Sequence, residues 1–266
     1  MNKIAIIPTL LTLGNAICGF AAIAYAGKID RIDATQPNEF YMALSGWLIV
    51  AAMIFDSLDG YVARITRSAS KFGMELDSLC DAVSFGAAPA FLLLQLGPGW
   101  ENRLLHQTLL VVATLYLVCV ILRLARYNVV ETADPAGGKK FRGLPSPAAA
   151  GCIASLAVLR GGVTQRWPEV DPGALRQIIE AWATLGAFIV ALLMVSRVPY
   201  PHMTKQFLRG RRHFDHLVLL IVVAGVIALI QEFALAVIFW GYVLVVLGQA
   251  VWVRARQRAY AVSSEQ

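Results

Sequence analysis

Long apolar segments constrain this chain more than any other feature of its sequence. Eight of them can cross a lipid bilayer as helices: 9–26, 41–63, 83–97, 105–126, 146–163, 177–196, 214–230 and 234–253. A span of about 20 apolar residues matches the hydrocarbon thickness of a bilayer. Hydrophobic residues make up 58% of the chain and charged residues only 15%, against about a quarter in soluble domains. The sequence therefore predicts an all-α polytopic membrane protein.

The connections between these segments differ in charge. Lys and Arg are concentrated in alternate connections and in the C-terminal tail: 64–82, 127–145, 197–213 and 254–258. Because basic loops stay on the cytoplasmic side of a membrane, both termini and these connections are predicted to be cytoplasmic. An even number of spans agrees with this orientation. The net charge of +6 fits contact with anionic lipid headgroups, and no nucleic-acid partner is expected.

Four carboxylates lie within or beside the cytoplasmic ends of the second and third predicted spans. Asp56 and Asp59 are three residues apart, and Asp77 and Asp81 are four apart, so each pair shares one helix face. A charged side chain within a spanning helix costs about 2.5–3.5 kcal/mol on insertion scales, so a compensating cation is expected. Carboxylate oxygens suit hard divalent cations such as Mg²⁺ or Mn²⁺. These four residues are the predicted metal ligands.

The residues around the first pair favour a ligand site over a simple ion-pair network. Gly60 and Ala63 leave room beside the carboxylates, and Arg64 offers a guanidinium suited to a phosphate. The alternative is that the aspartates pair with Arg64, Arg67 and Lys71. Such a network has no need of small residues at 60 and 63.

The stretch from Asp56 to Asp81 reads D-x2-D-G-x2-A-R-x8-G-x3-D-x3-D, which resembles the signature of the CDP-alcohol phosphatidyltransferases at every fixed position. The resemblance implies a core of six transmembrane helices, usually dimeric, that transfers a phosphatidyl group from CDP-diacylglycerol to an alcohol and releases CMP. It also implies that Asp56, Asp59 and Asp77 hold two metal ions, and that Asp81 touches the second metal and acts as the catalytic base. The implied contacts to CDP-diacylglycerol are Thr9, Thr12, Asn15, Gly60, Ala63, Arg64, Ser70 and Gly73.

Further stretches resemble the membrane-embedded phosphatidylserine synthases of bacteria. They are P-T-L-L-T-L-G-N at Pro8–Asn15, the run Glu75–Ala90, R-L-A-R-Y-N at Arg123–Asn128, G-L-P-S-P-A-A-A-G at Gly143–Gly151 and S-R-V-P-Y-P at Ser196–Pro201. One departure is Thr9, where the pattern has Asn after the proline. The resemblance predicts a core over 1–200, followed over 201–266 by a basic loop, two additional spans and a cytoplasmic tail.

L-serine is the acceptor alcohol that this resemblance implies. Arg123, Arg126 and Asn128 lie where the fourth span meets the cytoplasm and are the candidate serine-binding residues. The two arginines also fit an alternative role as headgroup contacts that follow the positive-inside rule. Glycerol phosphate or inositol phosphate would equally require arginines, so charge alone does not select the acceptor.

An ion-coupled transporter is the more distant alternative, because transporters place carboxylates on an ion path within the membrane. A transporter of that kind should have paired discontinuous helices in two related halves. The aspartates here cluster once and at one membrane face, which favours an enzyme.

Overall fold

The computed structural model describes residues 3–30, 36–66, 70–97, 103–133, 143–166, 171–196 and 231–263. These residues form helices with short connections and contain no strand, so the predicted all-α class is confirmed. The helices are α1 (Lys3–Ala26), α2 (Asn38–Ile65), α3 (Lys71–Asp81), a π-helical segment (Ala82–Ala87), α4 (Ala88–Leu96), α5 (Arg103–Ala133), α6 (Ser146–Arg166), α7 (Pro172–Val195) and α8 (Gln231–Ser263).

Six helical runs within the described residues are long and apolar enough to cross a membrane. They are Ile6–Ala26, Asn38–Ile65, Lys71–Leu96, Arg103–Val129, Ser146–Thr164 and Gly173–Val195. Each of the first six predicted spans overlaps one of them, and two of the six, 83–97 and 177–196, extend one residue beyond its end. The predicted seventh span, 214–230, lies outside the described residues, and α8 covers the eighth, with its apolar part at Glu232–Gly248.

The third span begins earlier than the sequence analysis predicted. The stretch 64–82 was expected to be a connection leading to a span at 83–97, but a continuous helical run starts at Lys71. Ser70 caps this run, because its hydroxyl accepts a hydrogen bond from the Gly73 amide at 3.0 Å. Hydropathy missed the first three turns because they are polar. The last two residues of these turns, Cys80 and Asp81, are buried against protein.

Pro89 was expected to interrupt the third span, yet the run continues through it. A proline has no amide hydrogen, so the carbonyl of Phe85, four residues earlier, loses its usual helical donor. The buried hydroxyl of Tyr116 on α5 donates to this carbonyl at 2.9 Å. The π-helical segment lies directly before Pro89, and π turns are frequent at functional sites. The irregularity is therefore stabilised by a neighbouring helix.

Helix α6 occupies the middle of the bundle and is buried on nearly all sides between residues 149 and 158. Small residues let its neighbours approach closely. An added Cβ at Gly46 on α2 would lie 2.7 Å from the Ala154 carbonyl, so the two backbones are nearly in contact. Helix α8 packs on another side, where the Trp240 indole donates to the Cys152 carbonyl at 3.1 Å.

The outer surface of the bundle is apolar. Large hydrophobic side chains are exposed along α1, α5 and α7, among them Ile17, Phe20, Leu104, Val111, Ile178 and Leu185. Such continuous apolar faces exceed what soluble monomers expose and suit contact with lipid. The chain is thus a multi-pass membrane protein.

Candidate active site

Three of the four predicted aspartates meet at one end of the bundle. Asp56 and Asp59 lie near the C-terminal end of α2, and Asp77 lies on α3, which starts at the same end. One carboxylate oxygen from each of the three lies within 4.8 Å of the others. Asp59 is 5% exposed, while Asp56 and Asp77 are half-buried. The carboxylates of two helices therefore meet, as the spacing of the aspartates along the sequence predicted.

This arrangement is unfavourable without a cation. Two carboxylates 4.8 Å apart repel each other by about 3 kcal/mol at an effective dielectric constant of about 20, and three pairs are involved. In addition, Oδ2 of Asp59 is buried and has no hydrogen-bond donor among the described residues. A buried charged oxygen of this kind normally has a partner. The donor set is all oxygen, so it fits a hard divalent cation.

Asp81 lies beside this group but is held separately. Its Oδ1 accepts a hydrogen bond from the side-chain amide of Asn15 at 3.0 Å, and both residues are buried. Its carboxylate interacts electrostatically with those of Asp56, Asp77 and Asp59. The structure thus separates a cluster of three aspartates from a fourth that α1 positions.

Helix α1 approaches the carboxylates with one face. Thr12 and Asn15 are three residues apart and both are buried. The Thr12 hydroxyl donates to the Pro8 carbonyl at 3.0 Å and is within hydrogen-bonding reach of Asp59. The half-buried Thr9 lies one turn earlier. In the structure Asn15 bonds Asp81 and Thr12 interacts with Asp59, and the nucleotide contacts of all three residues stay predictions.

The predicted nucleotide side of the site is open. Among the described residues, an added Cβ at Gly60 would meet only the Arg64 guanidinium, at 4.0 Å, so their packing does not require a glycine there. Ala63 is half-buried and Arg64 is exposed. Among the described residues, no carboxylate forms an ion pair with Arg64 or Lys71, and Arg67, the third member of the predicted ion-pair alternative, lies outside them. Ser70 and Gly73 have a local role as the cap of α3.

The three candidate serine-binding residues have different surroundings. Arg123 interacts electrostatically with Asp81 and Asp56, and its Nη1 donates to the buried hydroxyl of Ser146 at 2.8 Å. Asn128 donates to the Ser78 hydroxyl on α3 at 3.0 Å. Arg126 is exposed on α5. Arg123 thus interacts with the acidic group.

Several residues that form hydrogen bonds with predicted site residues were missed by the sequence analysis. Ser146 bonds Arg123, Ser78 bonds Asn128, and the Ser84 hydroxyl donates to the Asn15 carbonyl at 2.9 Å. Ser146 lies in the quoted stretch Gly143–Gly151, and the other two lie in the run Glu75–Ala90. The motifs marked these positions, but spacing along the chain does not report a partner on another helix.

Comparison with known proteins agrees with this geometry. The model of the CDP-alcohol phosphatidyltransferase family matches residues 5–199. The chain belongs to this family. The resemblance predicted from the Asp56–Asp81 signature is therefore confirmed, and the matched region contains α1 to α7 and every candidate site residue.

Relatives with curated names are similar over most of the chain. The CDP-diacylglycerol–serine O-phosphatidyltransferase of Helicobacter pylori is 33% identical over 206 residues, covering 77% of this chain and 76% of that enzyme. The enzyme of the same name from Mycobacterium tuberculosis is 36% identical, covering 76% of this chain and 63% of that enzyme. The archaetidylserine synthase of Methanothermobacter thermautotrophicus is 33% identical, covering 73% and 69% respectively.

Proposed function

We propose that this phosphatidyltransferase transfers the phosphatidyl group of CDP-diacylglycerol to L-serine, giving phosphatidylserine and CMP. The observation that carries the proposal is the meeting of Asp56, Asp59 and Asp77 within 4.8 Å, beside a buried Asp81. Serine as the acceptor follows from the names of the relatives, and the Arg123 guanidinium, which interacts with Asp81, offers a partner for the serine carboxylate. This activity places the protein in phospholipid biosynthesis.

The three clustered aspartates are the proposed ligands of Mg²⁺ or Mn²⁺, with Asp81 completing a two-metal site. When bound there, such a cation neutralises charge on the pyrophosphate. Oδ2 of Asp59 is buried without a hydrogen-bond partner among the described residues, so it is available as a ligand atom. Asp56 and Asp77, each half-buried, leave the site accessible to a phosphate from the membrane boundary.

The pyrophosphate and cytidine are proposed to bind over α2. Gly60 leaves a gap in the helix surface next to Asp59, and the exposed guanidinium of Arg64 borders that gap. Arg64 then contacts the phosphate with a bidentate fork, which stabilises charge through the transfer. Ala63, Thr9, Thr12, Ser70 and Gly73 remain predicted nucleotide contacts.

The acceptor is proposed to bind between Asp81 and Arg123. A serine whose hydroxyl faces Asp81 brings its carboxylate toward Arg123, which interacts with the same aspartate. Asp81 then takes the hydroxyl proton as general base. Asn128 shapes this side through Ser78, and Arg126 is proposed to face lipid headgroups.

An acceptor assay tests the reaction. Purified protein with CDP-diacylglycerol and Mn²⁺ or Mg²⁺ should release CMP when L-serine is added, because the pocket offers a base and a cation for an amino acid. Glycerol 3-phosphate and inositol phosphate, the alternative acceptors, are tested in parallel. A higher kcat/KM for either of them would replace serine as the acceptor, and no CMP release with any alcohol would refute the proposed function.

We also propose that the site and both termini face the cytoplasm. Lys71→Cys, at the exposed start of α3, should then resist an impermeant maleimide added outside intact cells, whereas Gln36→Cys at the opposite end should react. The unmodified chain measures any labelling of the half-buried Cys18. The reverse pattern would invert the topology. A homodimer is a further prediction from the family.

A further inference from the structure

Helix α1 is joined to the third span at Asn15 by two hydrogen bonds. The Asn15 side-chain amide donates to Oδ1 of Asp81 at 3.0 Å, and the Asn15 carbonyl accepts from the Ser84 hydroxyl at 2.9 Å. Asn15 and Ser84 are both 0% exposed. Buried bonds of this kind are strengthened by the low local dielectric. Asn15 is therefore held through both its backbone and its side chain.

The backbones also approach closely beside this junction. An added Cβ at Gly19, one turn beyond Asn15, would lie 2.6 Å from the Cα of Ser84. Only a glycine allows α1 and the π-helical segment to pack at that separation. The position of Asn15 relative to Asp81 is thus set by main-chain packing, and does not depend on the side-chain bond alone.

Asp81 needs such a donor. Its carboxylate is buried and interacts with three other carboxylates, which repel it. Among the described residues, Asn15 is the hydrogen-bond donor to this carboxylate. Since the amide engages Oδ1, the second oxygen, Oδ2, is left for a bound molecule.

We propose that Asn15 is a positioning residue for phosphatidyl transfer, holding Oδ1 of Asp81 so that Oδ2 faces the acceptor hydroxyl. The inference rests on the proposed function. In the transfer, Oδ2 takes the hydroxyl proton while the acceptor oxygen bonds to the phosphorus of the phosphatidyl group. The bond from that phosphorus to the CMP oxygen breaks, and its electron pair leaves with CMP. Asn15 itself exchanges no proton.

Two substitutions of Asn15 test this role. Asn15→Leu removes the amide, and Asn15→Asp keeps its shape while replacing the donor by an acceptor. Both should lower kcat with serine by about 10- to 100-fold, the range for residues that orient a functional group. The KM for CDP-diacylglycerol and the Kd for CDP should change by less than about twofold, since other residues contact the nucleotide. Weaker CDP binding with kcat unchanged would overturn the proposal, because Asn15 would then be a nucleotide ligand.

A double-variant comparison excludes a purely structural effect. If Asn15 acts through Asp81, adding Asn15→Leu or Asn15→Asp to Asp81→Asn should slow the enzyme no further. A further tenfold loss in the double variants would contradict the proposal. Ser84→Ala is the matched control, because it removes the other bond at this junction and leaves the amide in place. The kcat of Ser84→Ala should stay within about threefold of that of the unmodified enzyme. If its kcat falls as far as that of Asn15→Leu, the effect of both variants is due to packing.

The proposed function and this inference fail in different ways. If the unmodified enzyme releases no CMP with any alcohol, the proposed function is wrong and the role of Asn15 fails with it. If the unmodified enzyme turns over and the Asn15 variants do so at the same rate, only the inference is wrong. Asn15→Asp carries the test should Asn15→Leu not fold.

Discussion

Removal of divalent cations should abolish phosphatidyl transfer by this enzyme. The carboxylates of Asp56, Asp59 and Asp77 lie within 4.8 Å of one another, so the empty site repels the pyrophosphate that it has to bind. We expect CMP release to fall below detection after dialysis against EDTA and to return when Mn²⁺ or Mg²⁺ is added. Full activity after exhaustive chelation would refute a metal-dependent mechanism.

Thermal unfolding provides a readout of the same site that does not depend on turnover. A cation that binds the folded state alone raises the melting temperature by mass action. Mn²⁺ should therefore stabilise the unmodified protein and not Asp59→Asn, which loses the buried ligand with the orphaned Oδ2. Asp171→Asn is the matched control, because Asp171 caps α7 outside the cluster and asparagine caps a helix equally well. Equal stabilisation of all three proteins would place the cation elsewhere.

Replacement of Asp81 should affect turnover far more than nucleotide binding. Asp81→Asn keeps the size of the side chain but cannot accept the serine proton, so kcat should fall by about 10²- to 10⁴-fold. A further loss is expected because Asp81 is also a proposed metal ligand. The Kd for CDP should change little, since the carboxylates of Asp56, Asp59 and Asp77 remain. Turnover is measured as CMP release at saturating substrates, and CDP binding by calorimetry.

Asp56→Asn should behave differently, because it removes charge from the cluster itself. Nucleotide affinity should then fall together with kcat, and excess Mn²⁺ should recover part of both. Asp171→Asn again serves as the control and should leave both quantities unchanged. If Asp81→Asn loses CDP affinity as severely as Asp56→Asn while turnover at saturation stays near normal, Asp81 is a binding ligand and the base lies elsewhere.

The described structure also bears on the transporter alternative. A carboxylate ion path should lie near mid-membrane between related halves. Instead, the described acidic cluster lies where α2 ends and α3 begins, at one end of the bundle. The family assignment agrees with this position. This position agrees with the proposed function, since CDP-diacylglycerol presents its headgroup at the membrane surface.

Local features of the protein were predictable from its sequence. The apolar segments predicted the class, because span length follows from helix rise and bilayer thickness. The spacing of Asp56 and Asp59, and of Asp77 and Asp81, predicted shared faces because helix periodicity is independent of the neighbours. The signature indicated the family through positions that are all within 26 residues of one another. Each of these inferences uses residues that lie close together in the sequence, within one helix or in two consecutive helices.

Only the tertiary structure decided which side chains meet across helices. Asn15 bonds Asp81 across 66 positions of sequence, and Tyr116 supports the helix at Pro89 from α5. The early start of the third span was missed for a related reason, since its first turns are polar and hydropathy along the chain does not mark them as part of a span. Such contacts depend on how closely the backbones pack, as at Gly19 and Gly46, and a pattern along one segment carries no measure of that distance.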